Sequence, residues 1–595
     1  MTNQIINNRL TALREEMRIG GIDVYIVPSA DPHKSEYVTD RFKARAYITG
    51  FSGSAGLAVI TMNECHLWTD GRYFIQAGKE LKGTDIILEK MLEPGVKSYH
   101  EWVNDYVSSG MTIGYDEKLF SVNDVSSLKK SIKTEDITFN GANDFFSSIW
   151  TDRPELPLTP IYIHEFTYTG QSTQDKLIRV RKAMAKQSAD FYVLSALNDI
   201  AWLFNIRADD VLYTPVVYAY ALITPNDSIL YVHGAQVSPV VNEYFTKSLV
   251  TQRPYERIYD DIANIPSDSS IIYDPAFTNS GLAGKISEGC RKIEADELTA
   301  HIKAKLHPIE ITNLKHCQIK DGVALTKFLY WLDRSIGTET LTEIDVARKL
   351  LDFRSKQDGF IEPSFETISA YESNAAMMHY STDPDNSPNI YQRGFLLVDS
   401  GGQYYDGTTD ITRTIVLGDL TDEAKVDFTL VLKGHINLAR FIFLKGTSGN
   451  EIDAIARQPI WQHRKDYKSG TGHGVGYLLG VHEGIQRIAR KSKPIPLALG
   501  MVVTNEPGIY IENKYGIRTE NTLLVQADTE NEYGTFYHFD TISFCPIDIR
   551  AIKSDMLSSD ELEWLNNYHK AVYDHLSPFL EEEEIAWLGN MTKAL

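Results

Sequence analysis

The stretch FLLVDSGGQYYDGTTDITRTIVLG, residues 395–418, decides the fold of the second half of this chain. Its two ends are apolar and its middle carries Gly, Asp and Tyr, which predicts two strands joined by a turn. Asp399 ends the first strand and Asp410 begins the second. A bare carboxylate in an apolar strand is costly unless a cation or hydrogen bonds compensate for it. A hairpin of this length can bring both carboxylates to one cleft, where they repel each other unless a proton or a metal lies between them.

Three further chemistry-bearing residues follow in similar contexts. His473 lies between glycines in SGTGHGVG, and glycine permits the close approach and unusual backbone angles that suit a ligand on a loop. Glu506 follows the apolar run MVVTN, and Glu520 lies in GIRTEN. The segments around these glutamates, 500–511 and 515–527, predict another pair of strands. Each residue alone has an ordinary alternative, such as a turn-forming Asp, an incidental His in a flexible loop or a charge at a strand edge.

Taken together, two Asp, one His and two Glu form an oxygen-rich set with one imidazole. Such a set suits Mn²⁺, Co²⁺, Fe²⁺ or Zn²⁺ better than a thiolate site would. Four carboxylates are more than one ion needs, and two ions bridged by carboxylates and a hydroxide account for the surplus. The sequence therefore predicts a centre with two divalent ions.

Upstream of these strands, amphipathic patterns predict helices at 313–335 and 342–357. The first segment of the chain predicts strands at 23–29, 57–62 and 66–70, alternating with helices in an α/β domain. Residues 151–160, with three prolines, break the periodicity and are a candidate linker.

A second α/β pattern then echoes the first. GIDVYIVPSADP (21–32) has a counterpart in SADFYVLSALND (188–199), and each is preceded by a helical segment rich in basic residues, at 9–18 and 174–186. The same order of elements predicts a duplicated fold.

Composition limits the class of protein. The net charge of −21, from 80 acidic and 59 basic residues, argues against a broad electrostatic contact with nucleic acid. The four cysteines are far apart, so neither a zinc–thiolate site nor a disulfide framework is expected. The polar segment 1–17 lacks the apolar core of a signal peptide, and no apolar run is long enough to cross a bilayer. These features predict a soluble cytoplasmic protein that contacts no membrane.

The order DSGGQYYDGTTDITRT, GTGHGVG, NEPG and RTEN resembles the pita-bread metallopeptidases, and most of all their long, three-domain Xaa-Pro aminopeptidases. The resemblance implies two divalent ions, Mn²⁺ by family tendency with Co²⁺ or Zn²⁺ as alternatives, and a homodimer. It implies five metal ligands, with the second and fifth bridging: Asp399, Asp410, His473, Glu506 and Glu520. It also implies that His379, in AAMMHYS, and His482, in GVHEG, orient the substrate and shuttle protons.

The resemblance extends towards the N-terminus through ADPHKSEYV (30–38), FSGSAG (51–56), WTDGRYF (68–74) and ALNDIAWLFNIR (196–207). It implies two creatinase-like α/β domains, 1–170 and 171–306, followed by an α+β pita-bread catalytic domain, 307–595.

The expected activity is hydrolysis of the N-terminal Xaa-Pro bond of peptides whose second residue is proline. A water shared by the two ions would supply hydroxide, and Glu506 would take its proton as general base. The alternatives are a prolidase acting on Xaa-Pro dipeptides, a creatinase-type hydrolase, and a non-catalytic peptide-binding protein of the same fold. The extra domain and the complete ligand set disfavour all three.

Several neighbouring residues have two interpretations each. Arg518 is either a partner that positions the carboxylates or a substrate contact, and Tyr510 lines the pocket or the core. Arg72 reaches the cleft or forms a salt bridge between domains, and Arg413 is structural. Other histidines are interpreted as surface or packing residues, among them His100, His164, His435 and His575.

Overall fold

The computed structural model describes residues 3–71, 73–142, 144–382 and 387–595, without the side chain of Ile75. The chain forms two compact units. The first contains the residues up to Ile163 together with Thr173–Thr299, and the second contains His164–Ser172 and Ala300–Leu595. Among the helices in the described ranges, none combines the length and the apolar character needed to span a bilayer.

The first half of the first unit is a six-stranded mixed sheet flanked by helices. Its strands are β1 (Val24–Pro28), β2 (Leu57–Thr61), β3 (Cys65–Thr69), β4 (Ile86–Lys90), β5 (Thr112–Gly114) and β6 (Thr138–Asn140). Its helices are α1 (Asn3–Gly20), α2 (Ala44–Thr49), α3 (Phe74–Glu80), α4 (Tyr99–Tyr106), α5 (Val122–Ser131) and α6 (Phe146–Ile149). The predicted strands at 23–29, 57–62 and 66–70 are confirmed to within a residue at each end.

The second half of this unit is another six-stranded sheet. Its strands, with the short pair β7 and β9, are β7 (Tyr162–Ile163), β8 (Phe191–Leu194), β9 (Ile206–Arg207), β10 (Ala219–Ile223), β11 (Ser228–Val232), β12 (Thr251–Pro254), β13 (Ser270–Tyr273) and β14 (Arg291–Glu294). The helices of this stretch are α7 (Phe166–Thr169), which belongs to the second unit, and α8 (Thr173–Lys186), α9 (Leu197–Phe204), α10 (Pro239–Lys247), α11 (Arg257–Ala263) and α12 (Ser280–Ala283).

The two sheets share one topology. The first has the order β4-β3-β2-β1-β5-β6, and the second has the order β12-β11-β10-β8-β13-β14, which is the same path of six strands. In each sheet the first three strands along the chain pair with one another in antiparallel fashion. The remaining three pairs of neighbouring strands are parallel. The predicted duplication is therefore confirmed.

The second unit is an α+β fold of helices packed on several sheets. Its strands are β15 (Leu341–Thr342), β16 (Phe360–Pro363), β17 (Ile368–Tyr371), β18 (Asn389–Ile390), β19 (Phe395–Ser400), β20 (Gly402–Tyr404), β21 (Gly407–Thr408), β22 (Ile411–Val416), β23 (Phe443–Leu444), β24 (Gly472–Gly474), β25 (Glu483–Ile488), β26 (Val502–Asn505), β27 (Gly508–Ile511), β28 (Tyr515–Arg518), β29 (Asn521–Asn531) and β30 (Gly534–Thr541). Its helices are α13 (Ala300–Lys303), α14 (Pro308–Ser335), α15 (Glu343–Arg354), α16 (Asp422–Ala439), α17 (Gly449–Gln462), α18 (Ser559–Leu576) and α19 (Glu582–Met591).

Three sheets of this unit carry the chemistry-bearing strands. β19 lies between β17 and β22, while β24, β26 and β29 belong to a sheet of order β23-β30-β29-β26-β24-β25, and β27 pairs with β28. α16 and α17 cover them through buried aliphatic and aromatic side chains, among them Phe428, Val431, Ile436 and Ile460.

The predicted strand pairs are interrupted where the sequence pattern suggested continuity. Between β19 and β22 the chain makes the short strands β20 and β21, and β20 pairs with β16. The predicted strand over 500–511 breaks at Glu506 and Pro507, because proline has no N–H to donate to the ladder. The predicted strand over 515–527 breaks at Thr519 and Glu520. Both glutamates therefore lie outside the ladders.

Candidate metal centre

Six side chains of the second unit, the five predicted ligands and His482, come together around the strand breaks at Glu506 and Glu520. Asp399 lies in β19 opposite Thr412 of β22, and Asp410 comes directly before β22. His473 is the central residue of β24. Potential ligand atoms lie within 4.8 Å of one another in three overlapping groups. These groups are Asp399 with Asp410 and Glu520, His473 with Glu506 and Glu520, and Asp410 with His473 and His482.

The carboxyl groups of this cluster are buried against one another. Burial and the neighbouring Asp399 hold the pKa of Asp410 well above its usual range. Burial and Asp410 do the same for the pKa of Glu520. For Glu506, burial raises the pKa to about 7, with Asp399 adding to the effect and Arg518 opposing it. Concentrated buried negative charge of this kind needs a cation or protons to compensate it.

The donor set fits a pair of divalent ions. It offers four carboxylates and one imidazole, the mixture that first-row divalent metals accept. In addition, Oδ1 of Asp399 is buried and has no hydrogen-bond partner among the described residues. A buried carboxylate oxygen without a donor is uncommon in proteins, and a bound cation would satisfy it.

His473 is held in the tautomer that a metal ligand needs. Its Nδ1 lies 3.0 Å from the carbonyl oxygen of Gly474, so this nitrogen carries the proton and donates it. Its Nε2 lies 3.4 Å from both Asp410 Oδ2 and Glu506 Oε1, and its lone pair faces the cluster. Burial and the neighbouring His482 hold the pKa of His473 well below its usual range, which keeps the ring neutral.

Arg518 uses its guanidinium within the site. Its Nη2 donates to Asp399 Oδ2 at 2.5 Å, its Nη1 donates to the Tyr510 hydroxyl at 2.7 Å, and its Nε donates to Thr412 Oγ1 at 3.1 Å. This geometry favours the interpretation of Arg518 as a residue that positions Asp399. The same contacts place Tyr510 beside the cluster. Arg518 ends β28 and Glu520 follows the strand break, and the side chains of both contact Thr412 Oγ1.

The two additional histidines lie on loops near the cluster. The ring of His482 packs edge-on against His473, with 4.4 Å between the ring centroids. His379 is exposed after the turn Glu372–Ala376, and its charge contributes to the lowered pKa of His473. Arg72 lies outside the described residues.

Sequence reasoning missed the threonines that organise the carboxylates. Thr412 Oγ1 donates to Glu520 Oε2 at 2.7 Å. Thr504 Oγ1 lies 3.3 Å from Glu506 Oε1 and accepts from the backbone N–H of His473. Each threonine stands two residues from a cluster carboxylate, on the same side of an extended chain. A search for hydroxyl residues at that spacing would have found them.

Both units of the chain match the sequence models of known protein families. Residues 312–527 match the model of metallopeptidase family M24, and residues 535–595 match its C-terminal region. Residues 9–144 and 152–310 each match a creatinase/prolidase N-terminal domain. Aminopeptidase P2 of Arabidopsis thaliana is 36% identical over 98% of this chain and 87% of its own length. A probable Xaa-Pro aminopeptidase P of Aspergillus niger is 37% identical over 97% of this chain and 96% of its own.

A solved structure agrees over the full length. The X-prolyl aminopeptidase of Caenorhabditis elegans, described as a cytosolic enzyme with a di-nuclear active site, matches with a TM-score of 0.94 at 31% identity, covering 100% of both chains. A Bacillus anthracis Xaa-Pro dipeptidase matches 63% of this chain and 99% of its own at 22% identity and a TM-score of 0.51, which shows a shared fold. This chain belongs to the M24 metallopeptidases, in the family of the long Xaa-Pro aminopeptidases.

Proposed function

We propose that this protein is a dinuclear metalloaminopeptidase that hydrolyses the bond between the N-terminal residue of a peptide and a proline that follows it. One observation carries the proposal. The five proposed ligand side chains converge in one unit of a chain that aligns over nearly its full length with Xaa-Pro aminopeptidases. The relatives that match nearly the full length of the chain are aminopeptidases P, which favours the aminopeptidase over the prolidase alternative.

The five converging residues are the proposed metal ligands. Asp410 and Glu520 are the most deeply buried carboxylates of the set, at 3% and 1% exposure, which suits bridging positions. When bound, two divalent ions supply Lewis acidity and lower the pKa of a water molecule in the site. Holding the ions is the task of Asp399, Asp410, His473, Glu506 and Glu520.

Glu506 is the proposed general base. In the metal-free protein burial raises the pKa of its carboxyl group to about 7, and the resemblance to the family assigns the role of base to the glutamate at this position. His482, whose ring packs against His473, and His379 are the proposed donors to the developing oxyanion and to the leaving nitrogen. The cationic N-terminal amine of a peptide is drawn to the carboxylates, and this restricts cleavage to the first bond.

Three finer points rest on the family and on composition. Mn²⁺ is the proposed metal, since oxygen ligands dominate the site. A homodimer is proposed from the family. Cytoplasmic location is supported by four free, buried cysteines, which suit a reducing compartment, and by the cytosolic Caenorhabditis elegans enzyme. The domain boundaries 1–170, 171–306 and 307–595 stay a proposal, supported by two sheets that lie within 24–140 and 191–294.

The test is a metal-restoration assay. Purified protein is stripped with a chelator, supplied with Mn²⁺ and assayed on Arg-Pro-Pro, on the dipeptide Arg-Pro and on a proline-free tripeptide. We expect Mn²⁺-dependent release of arginine from Arg-Pro-Pro and little cleavage of the other two. Asp410→Ala should lose both metal and activity. Asp528→Ala, which changes an exposed carboxylate on β29, is the matched control and should keep both.

Each other outcome has a defined meaning. Cleavage of Arg-Pro alone would assign the chain to the prolidases. Full activity of Asp410→Ala would overturn the assigned site. Bound metal without cleavage of any of the three peptides would leave the site in place and refute the substrate class.

A further inference from the structure

Two asparagines are next to the two glutamates of the metal centre in the chain, and their side chains point in the opposite direction. β26 and β29 are antiparallel, and their last paired residues are Asn505 and Asn521. Glu506 follows Asn505 in the chain, and Glu520 precedes Asn521. Because side chains alternate along an extended chain, the asparagines face away from the cluster that the glutamates enter.

Hydrogen bonds fix the orientation of the Asn521 amide. Its Oδ1 accepts from Arg413 Nη2 at 2.8 Å and from the Tyr568 hydroxyl at 3.2 Å. A guanidinium only donates, so the amide oxygen must face Arg413. The NH₂ group of Asn521 therefore points in the other direction, where it lies 3.1 Å from His435 Nε2.

His435 of α16 lies between the two asparagines. It is completely buried, and burial lowers its pKa to about 3, so its ring is neutral. Since Nε2 accepts from Asn521, the single ring proton is on Nδ1, which donates to the backbone carbonyl of Asn505 at 3.1 Å. The Asn505 side chain returns the contact by donating to the carbonyl of His435 at 2.9 Å. One imidazole thus joins the ends of two strands.

We propose that His435 is a positioning residue of the metal centre, whose neutral ring fixes the distance between the chain segments that carry Glu506 and Glu520. The inference rests on the proposed metal-binding role of those two glutamates. The contact acts at an interruption in the pairing of these two chain segments, after the last β26–β29 pair, Asn505 with Asn521, and before pairing resumes with Gly508 and Arg518 in β27 and β28. The backbone N–H groups of the two glutamates donate to the carbonyls of Thr471 and Thr412, and their carboxylates contact the hydroxyl groups of Thr504 and Thr412. His435 adds a contact that links the two segments from behind. Groups that orient ligands from behind commonly change metal affinity by about 10- to 100-fold.

The test compares two buried histidines in the full-length protein. His435→Phe removes the donor and the acceptor while keeping an aromatic ring. The matched control is His569→Phe on α18, where a fully buried ring accepts from the backbone N–H of Ile547 and contacts neither asparagine in the described structure. Chelator-treated protein is titrated with Mn²⁺, and free Mn²⁺ is counted by electron paramagnetic resonance. Melting temperatures are measured on the same samples.

We expect wild type and His569→Phe to bind two equivalents of Mn²⁺ with similar affinity, even where the control melts at a lower temperature. His435→Phe should bind at least one of the two ions about tenfold more weakly. At saturating Mn²⁺ its kcat on Arg-Pro-Pro should fall while KM changes little. Equal binding by His435→Phe and wild type, or equal losses in the two variants, would overturn the inference. Wild type that binds no Mn²⁺ would instead refute the proposed function.

A milder variant covers the case in which His435→Phe does not fold. His435→Asn retains an amide donor near the position of Nδ1 and loses the acceptor for Asn521. It should bind Mn²⁺ more weakly than wild type by about threefold or more, below the full effect of removing an orienting group. Wild-type affinity in this variant would overturn the inference.

Discussion

At the scale of single residues, hydroxyl groups link the charged side chains of the centre. Thr412 Oγ1 donates to Glu520 and accepts from Arg518 Nε, so it joins a carboxylate to the guanidinium that holds Asp399. A threonine in a strand is rigid at χ1, which makes it suited to hold such a bridge in one geometry. The sequence predicts the charged residues because their motifs are distinctive, whereas a threonine in a strand is common and only its spacing of two residues from a cluster carboxylate marks it.

Thr412→Val should therefore weaken the centre without changing its shape. Valine keeps the volume and removes one donor and one acceptor, leaving Glu520 Oε2 and Arg518 Nε each one partner short. We expect Mn²⁺ affinity to fall about tenfold, as for other groups that orient ligands. The check is a Mn²⁺ titration of the stripped protein. Thr429→Val, at a buried threonine of α16 that donates to the Lys425 carbonyl, is the control and should keep wild-type affinity.

At the scale of elements, β24 shows why His473 is bounded by glycines. A Cβ on Gly472 would come within 2.0 Å of the carbonyl oxygen of Thr504 in the neighbouring strand β26. A Cβ on Gly474 would come within 2.1 Å of the carbonyl oxygen of Glu483. The glycines thus allow close approach of β24 to both neighbours. The sequence predicts this loop as a ligand-bearing segment, but it does not predict the partners, because they lie on segments far along the chain.

Gly472→Ala is expected to push β24 away from β26 and carry His473 with it. Overpacking of this kind typically costs about 1–3 kcal/mol of unfolding free energy. We also expect loss of tight Mn²⁺ binding, measured in the same titration. Gly470→Ala provides the matched control in the same loop, because its Cβ would meet no atom closer than 3.5 Å. If both variants bound Mn²⁺ as wild type does, the close approach of the strands would not matter to the centre.

The two strand breaks are the part of these strands that the sequence did not predict. Alternation of apolar residues predicted long strands through 500–511 and 515–527, and the pattern is real on both sides of each break. Pro507 was the one local signal of an interruption. For Thr519 and Glu520 no such signal exists, because that break follows from how β28 and β29 pair with different partners.

At the scale of the whole molecule, three fully buried histidines titrate far below their usual range. Burial lowers the pKa of His33 and His569 to about 4 and that of His435 to about 3. His33 belongs to the first unit, where its ring contacts the Ser195 carbonyl and the Tyr255 hydroxyl, and where Asp31 opposes the shift. Such groups bind a proton more tightly when the chain is unfolded.

These rings make the folded protein less stable as the pH falls below about 6.5. Above the ordinary histidine pKa of about 6.5, neither state binds the proton, and these rings do not affect the pH slope. As pH falls from there towards about 4, the unfolded chain takes up protons and the folded chain does not. Each ring then removes up to about 1.4 kcal/mol of stability per pH unit.

His33→Gln should reduce this slope for the first unit, measured by denaturant unfolding of metal-free protein between pH 7 and pH 5. His575→Gln, at an exposed histidine, should leave the slope as in wild type. An unchanged slope in His33→Gln would show that His33 is protonated in the folded protein. Metal-free protein is used because acid also releases bound metal.

The residues of the metal centre are synthesised over a long part of translation, so the centre can be completed only late. Its contributors are spread along the sequence from Asp399 to Glu520, and the contacts behind Asn521 reach on to Tyr568. At a translation rate of about 5–20 residues per second, the last contributor leaves the ribosome many seconds after the first. A chain that stops before Tyr568 has every carboxylate but lacks a partner of the Asn521 amide. We therefore expect full metal binding only from a chain that extends past Tyr568, because a shorter product contains the acidic cluster without this contact to Asn521.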